Sequence, residues 1–279
     1  MRIVALSENT ATTDKLFAEH GLCLYIEHGG EKILFGAGAS GLFLENAHRL
    51  GIPADEADAL VLPHNHTSCA GGTETLVKKN PSVRIFIKKS AAADCAEKGK
   101  LFRTRTGLQS SFFKSNELKC VQFAEFSEVC PDFFLVSNEA DSPTENAEKR
   151  YYIKRGKKWV RDDFSGETFA VCFPSRRKDG CVILTACSHC GIVNIVKTVR
   201  KLWDVPIKAI VGGFDFMGGN INKISCSADT VKQICDELSK LDVGYIYTCH
   251  CTGRRGYEIM KETLGEQIQY LHTGEELEF

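Results

Sequence analysis

Four times in this chain a short apolar run ends in a turn that carries histidine, cysteine or aspartate. The runs are Ala59-Leu-Val-Leu62, Gly180-Cys-Val-Ile-Leu-Thr185, residues 206–211 and Val243-Gly-Tyr-Ile-Tyr247. The turns after them hold His64-Asn-His66-Thr-Ser68-Cys69, Cys187-Ser188-His189-Cys190, Gly213-Phe214-Asp215 and Cys249-His250-Cys251. Apolar runs this short, bounded by turn residues, read as buried strands, and helical spacing returns after each one. Strand, turn and helix in repetition place the turns along one rim of a sheet, where αβ folds hold their sites.

The side chains on that rim suit a metal ion. Histidines two residues apart on a turn can aim ring nitrogens at one ion, and a thiolate three residues later can join them at a Zn–S distance of ~2.3 Å. Taken alone, the first turn is also compatible with two solvated histidines; the recurrence argues against that. His64, His66, His189 and His250 all fall at strand ends, whereas His20, His28, His48 and His272 have no ligand-rich neighbours and read as surface or structural residues.

Thirteen cysteines, with no secretory leader pattern at the N-terminus, favour a reducing compartment and a cytoplasmic location over a disulfide framework. Cys23, Cys120, Cys172, Cys181 and Cys235 sit among apolar residues and read as buried small hydrophobes. Cys69, Cys187, Cys190, Cys249 and Cys251 lie beside the candidate histidines. On exposed turns, Cys69, Cys190, Cys249 and Cys251 would be the readily oxidised thiols.

A chain of 279 residues with 43% hydrophobic content can bury a sizeable core, and one domain over residues 1–279 is expected. A net charge of −1 gives no bias toward nucleic acid or an anionic membrane, so a small-molecule substrate is the expected partner; oligomeric state is not legible. No apolar run approaches the ~18 residues that cross a bilayer. The N-terminal part reads as a meander of strands at 2–7, 22–27 and 31–35, with a Gly29-Gly30 hairpin turn, then a helix ending at Gly51 and a further strand at 83–87. From about 88 to 165 the periodicity weakens into a connector. It carries a basic stretch (Lys98, Lys100, Arg103, Arg105), a strand at 133–136 and a charged segment at 138–149. Such a loop is either solvated surface or a cover for a pocket.

The motif order His64-x-His66-x-x-Cys69 with Gly71-Gly72, Cys187-Ser188-His189-x-Gly191, Gly212-Gly213-Phe214 and His250-Cys251-Thr252-Gly253 resembles the metallo-β-lactamase superfamily. Within it the chain is similar to the branch of dihydropterin-related, methanopterin-pathway-type synthases and beta-lactamase superfamily II metal-dependent hydrolases. The resemblance runs from Arg2 to the C-terminus. It implies an α/β fold, the four-layer αβ/βα sandwich, with a one- or two-metal site at one edge. Carried over by position, His64, His66 and His189 hold the first metal, Cys69 and His250 stand at second-metal positions, and Asp215 is a further candidate where the branch often carries histidine.

Two carboxylates of the pattern are missing. His-x-His-x-Asp-His has become His64-Asn-His66-Thr-Ser68-Cys69, and the Asp-Thr-Gly after the third strand is Gly36-Ala37-Gly38. A serine hydroxyl is a poor cation ligand, whereas a thiolate at 69 favours zinc or iron over magnesium or calcium. The leading expectation is a metal-dependent hydrolase whose catalytic group is a water on the ion. Arg254, Arg255, Arg103 and Arg105 are candidates to recognise an anionic substrate. A binding protein on a degenerate scaffold and an iron or redox site are the alternatives.

Overall fold

The computed structural model describes residues 1–99, 102–137 and 150–279. The N-terminal half supplies β1 (Arg2–Ser7), β2 (Cys23–His28), β3 (Glu31–Phe35), α1 (Leu42–Leu50), β4 (Ala59–Leu62), α2 (Thr67–Ala70), α3 (Thr73–Lys79) and β5 (Arg84–Lys88). Next come β6 (Cys95–Lys98), β7 (Arg103–Thr106), α4 (Ser110–Ser115), β8 (Cys120–Phe123), β9 (Phe126–Cys130) and β10 (Phe133–Ser137). The remainder is β11 (Tyr151–Arg155), β12 (Lys158–Arg161), β13 (Thr168–Cys172), β14 (Cys181–Thr185), α5 (Ile192–Leu202), β15 (Ile207–Gly212), α6 (Ala228–Lys240), β16 (Val243–Thr248), α7 (Gly253–Leu264), β17 (Ile268–Tyr270) and β18 (Glu276–Glu278).

Two seven-stranded sheets result, ordered β18-β1-β2-β3-β4-β5-β8 and β17-β16-β15-β14-β13-β10-β9. Alternation at β1 sends Ile3 and Ala5 to the face that meets β14 and β15 through Val182, Leu184, Ala209 and Val211. Val4 and Leu6 point outward beneath Phe43, Ala47 and Leu76 of α1 and α3. On the second sheet, Ile183, Ile210 and Ile246 are covered by Ile195 and Val199 of α5, Val231 and Leu238 of α6, and Ile259 of α7. Helix, sheet, sheet, helix is thus the layer order, the αβ/βα sandwich. Gly29 and Gly30, both at positive φ (59° and 85°), make the tight turn between β2 and β3. No helix among the described residues is long and apolar enough to cross a membrane.

The stretch of weak periodicity is more ordered than its sequence indicates. Strand β8 joins the first sheet, β9 and β10 the second, and β12-β11-β6-β7 form a separate antiparallel sheet. Strands such as Arg103–Thr106 are exposed at three of four positions, so no buried face writes an alternating pattern into them. The charged segment at 138–149 and Lys100 lie outside the described residues.

Candidate metal centre

The strand-end turns meet where the two sheets open. β4 is parallel to β3 and β5, and β14, β15 and β16 are mutually parallel, so their C-terminal ends share one rim. There His64, His66 and His189 bring one ligand-type nitrogen each to within 4.8 Å of one another, as do His64, Cys69 and Cys187, and Cys187, His250 and Cys251. All of these side chains are buried, and His64 Nδ1 has no hydrogen-bond partner among the described residues. A buried cluster of imidazole nitrogens and cysteine sulfurs with an unsatisfied ring nitrogen is a donor set that a soft divalent cation completes.

Each histidine is held from behind. His189 Nδ1 donates to Asp215 Oδ2 at 3.0 Å, so its Nε2 faces the other two rings. His66 Nε2 lies 3.8 Å from Asp162 Oδ2, leaving Nδ1 for the centre. Tyr151 stacks on His66 with ring centroids 4.0 Å apart, and Phe164 stacks on His189 at 4.3 Å. Burial depresses the His66 imidazole to about 3, outweighing Asp162. The Cys69 thiol is pushed well below its ordinary value by a hydrogen bond from Cys187, against burial and with help from His64.

Backbone contacts fix the turns. Asn65, between the first two histidines, donates to Ala93 O and Leu108 O and accepts from Leu108 N, which ties the His64–His66 turn to the chain following β5. Buried Glu167 accepts the His189 N–H at 2.8 Å and the Cys190 N–H at 3.0 Å. Buried Glu8 does the same for the His250 N–H at 3.0 Å, and it also accepts from Tyr270 Oη. Ser188, Asp215 and His250 adopt φ of 56°, 56° and 51°. Non-glycine residues at such angles store strain and cluster at sites that dictate the backbone path.

Of the five cysteines beside histidines, Cys69, Cys187 and Cys251 enter the cluster; Cys190 and Cys249 do not. All five are buried, whereas Cys120 is only half-buried, so burial reverses the exposure expected from the sequence. His20, expected to have no part in the site, stacks on His250 with centroids 4.7 Å apart. Glu8, Asp162 and Glu167 had no sequence signal. Asp215 stands behind His189 and outside the three ligand groups.

A cleft of about 520 Å³ opens onto the cluster, with His66, Ser68, His20, Asn9, Arg150 and Tyr151 in its walls and Met217 to Ile221 along one side. Arg103, Arg105, Arg254 and Arg255 are not among its lining residues. Arg103 lies over the Tyr152 ring, Arg105 donates to Gln109, Arg255 pairs with Glu258, and Arg254 is exposed at the start of α7.

No family model matches the chain. It is 27% identical to the 7,8-dihydropterin-6-methyl-4-(beta-D-ribofuranosyl)-aminobenzene-5'-phosphate synthase of Methanocaldococcus jannaschii, covering 100% of this chain and 97% of that one. It is 26% identical to the uncharacterized protein MJ0448 of the same organism over 90% of each chain. Among solved structures, Tm1679, a metal-dependent hydrolase of the beta-lactamase superfamily, superposes with a TM-score of 0.81 at 26% identity, covering 100% of this chain and 99% of that one.

Proposed function

This chain is a member of the metallo-β-lactamase superfamily, and on that premise we propose that it is a metal-dependent hydrolase acting on a small, anionic substrate. The observation that carries this reading is the convergence of His64, His66 and His189 within 4.8 Å beside an open cleft. Those three residues would hold a divalent ion, and zinc suits nitrogen donors with thiolates close by. When bound, such an ion supplies Lewis acidity, acidifying water and polarising an ester or phosphoryl oxygen.

The chain's own residues do the rest. Asp215 and Asp162 set which imidazole nitrogens face the centre, and the Tyr151 and Phe164 rings exclude water from the backs of His66 and His189. Arg150 stands in the cleft wall paired with Glu97 at 3.0 Å, and an anionic group entering the cleft would compete with that carboxylate for it. The synthase relative is named for a 5'-phosphate product, which supports a phosphorylated or otherwise anionic substrate here. Thirteen thiols, all unpaired, support a reducing, cytoplasmic setting. We take the partner to be this small molecule, with neither nucleic acid nor membrane involved.

Ser68 favours a second reading. With a hydroxyl where the superfamily pattern has a carboxylate, nothing anionic from that position aligns the attacking water, and a metal- or ligand-binding protein on the same scaffold is the outcome if catalysis has been lost. Metal analysis of protein purified without added metal or oxygen separates zinc from iron. A turnover screen of the loaded protein on phosphodiesters, phosphomonoesters and esters then decides between the readings. Hydrolysis lost in His66→Ala supports the enzyme; full metal occupancy with no turnover across the panel supports the binding protein.

A further inference from the structure

We propose that His20 is a specificity-determining residue of the cleft, its Nε2 a hydrogen-bond acceptor that selects ligands bearing a hydroxyl or N–H group. The proposal rests on reading this cleft as the substrate site, and it gives a role to a histidine that belongs to none of the three ligand groups.

The direction of each hydrogen bond around His20 follows by elimination. His250 O lies 2.5 Å from one end of the Asn9 amide, and a carbonyl can only accept, so that end is Nδ2. The other end, Oδ1, also can only accept, and it lies 2.9 Å from His20 Nδ1. The proton of the neutral ring is therefore on Nδ1, and Nε2 carries a lone pair. Nε2 has no hydrogen-bond partner among the described residues, and His20 and Asn9 both line the cleft.

The ring is exposed, yet it is held. It stacks on buried His250 with centroids 4.7 Å apart and planes 20° from parallel. The loop between β1 and β2 that carries it is tied beside Asn9, where Glu19 N donates to Glu8 O at 3.0 Å. The Glu19 carboxylate accepts the Ala39 and Ser40 N–H groups at 3.0 and 3.2 Å, and a Cβ at Gly21 would meet Ala39 N at 2.3 Å. The chain thus passes His20 with no slack. A ring fixed at Nδ1 and on one face presents Nε2 in a single direction, which is what discrimination between ligands needs. The carboxylate and amide acceptors in the cleft walls are already engaged. Arg150 pairs with Glu97 at 3.0 Å, and Asn220 Oδ1 accepts the Asn222 N–H at 3.0 Å. An occupant that displaces water from His20 without supplying a donor leaves Nε2 unpaired.

The test measures binding to the zinc-loaded full-length protein by calorimetry at about pH 8, where an imidazole of ordinary pKa ~6.5 is neutral. Two probe pairs resist hydrolysis and differ in a hydroxyl: hydroxypropylphosphonate against propylphosphonate, and the uncharged hydroxypropyl methyl sulfone against propyl methyl sulfone. The hydroxylated member should bind about tenfold tighter in each pair that binds. His20→Phe keeps a ring on His250 and removes the acceptor. In it the preference should vanish, while the affinity for the plain member and the melting temperature stay as in the parent. Long-range nitrogen NMR of the parent reads the tautomer without any ligand and should find Nδ1–H; should His20→Phe fail to fold, this tautomer and the parent's preference decide. No preference in the parent, a preference that survives in His20→Phe, or an Nε2–H tautomer would overturn the proposal. Binding of the sulfones with rejection of the phosphonates would overturn the anionic-substrate reading and leave the role of His20 standing. Failure of all four probes to bind would overturn both.

Discussion

His189 Nδ1 and Asp215 Oδ2 are 3.0 Å apart and both side chains are buried, so the ring is held in one tautomer and one orientation. Burial by itself would lower this imidazole, but the Asp215 charge and hydrogen bond, with Glu167 behind, raise it to about 10 from an ordinary 6.5. The proton is bound more tightly in the folded chain than in the unfolded one. Its stabilisation of the metal-free fold is therefore complete below about pH 6.5 and is lost as pH rises through about 10. A cation at the three histidines must displace that proton, so apparent zinc affinity should climb with pH over roughly pH 6 to 9. Asp215→Asn should flatten the pH dependence and weaken binding by about 10–100-fold. Competition against a chelator at several pH values reads both; a parent whose affinity is flat across that range contradicts the assignment.

Glu167 and Glu8 grip opposite turns of the site through backbone N–H groups. Glu167→Ala would leave the His189 and Cys190 N–H groups unpaired in a buried place, at a cost on the order of 3 kcal/mol or more. Glu8→Ala would release the His250 N–H with a similar penalty. Denaturant midpoints of the metal-free variants check this, and a shift below about 1 kcal/mol in either would show that the turns are set elsewhere.

Restoring the two missing carboxylates should have opposite outcomes. Ser68 is half-buried in the cleft wall, so Ser68→Asp can be accommodated and should raise both bound metal and hydrolysis. Gly36 has φ 76°, and a Cβ there would meet Leu22 O at 2.3 Å. Gly36→Asp should therefore cost at least ~1–3 kcal/mol in strain, before counting the clash, and give no gain in activity. Thermal melts beside rate measurements separate the cases. If Ser68→Asp binds more metal and is slower on every substrate the parent turns over, the serine is an adaptation of the site.

Thiol reactivity in the native protein should follow exposure. Cys120 and Cys226 are the half-buried cysteines, and alkylation should reach them first even though burial raises both thiols. Cys69, Cys187 and Cys251 should stay protected until unfolding. Peptide mapping after brief iodoacetamide treatment gives the order, and early labelling of Cys251 would show that the cluster opens to solvent.

The strand-end turns were legible because burial writes apolar runs into β4, β14, β15 and β16 and the ligand residues interrupt them at once. Strand β13, buried throughout, lay unnoticed just after a stretch in which β7, β8, β9, β11 and β12 have exposed positions. That Cys251 and not Cys249 joins the cluster is decided by the turn at His250, whose backbone angle no local pattern announces. Glu8, Asp162 and Glu167 are single carboxylates whose partners lie far away in the chain, and pairing of that kind appears only after folding. Residue spacing cannot show either that Tyr151 stacks on His66, because the sheet carrying Tyr151 has no core of its own to write a pattern.

Two of the three ligand groups draw on both sheets: His64 and His66 with His189, and His64 and Cys69 with Cys187. His64 precedes Cys187 by 123 residues, so on a chain leaving the ribosome the first half of the centre waits for the second to arrive and dock. Ion capture is then a late event in folding, and a captured ion becomes a clasp that the sheets must break to separate. Its strength follows supply: at free metal one hundredfold above the dissociation constant, the clasp adds about 2.7 kcal/mol. The melting temperature of this protein should therefore track the metal content of its surroundings.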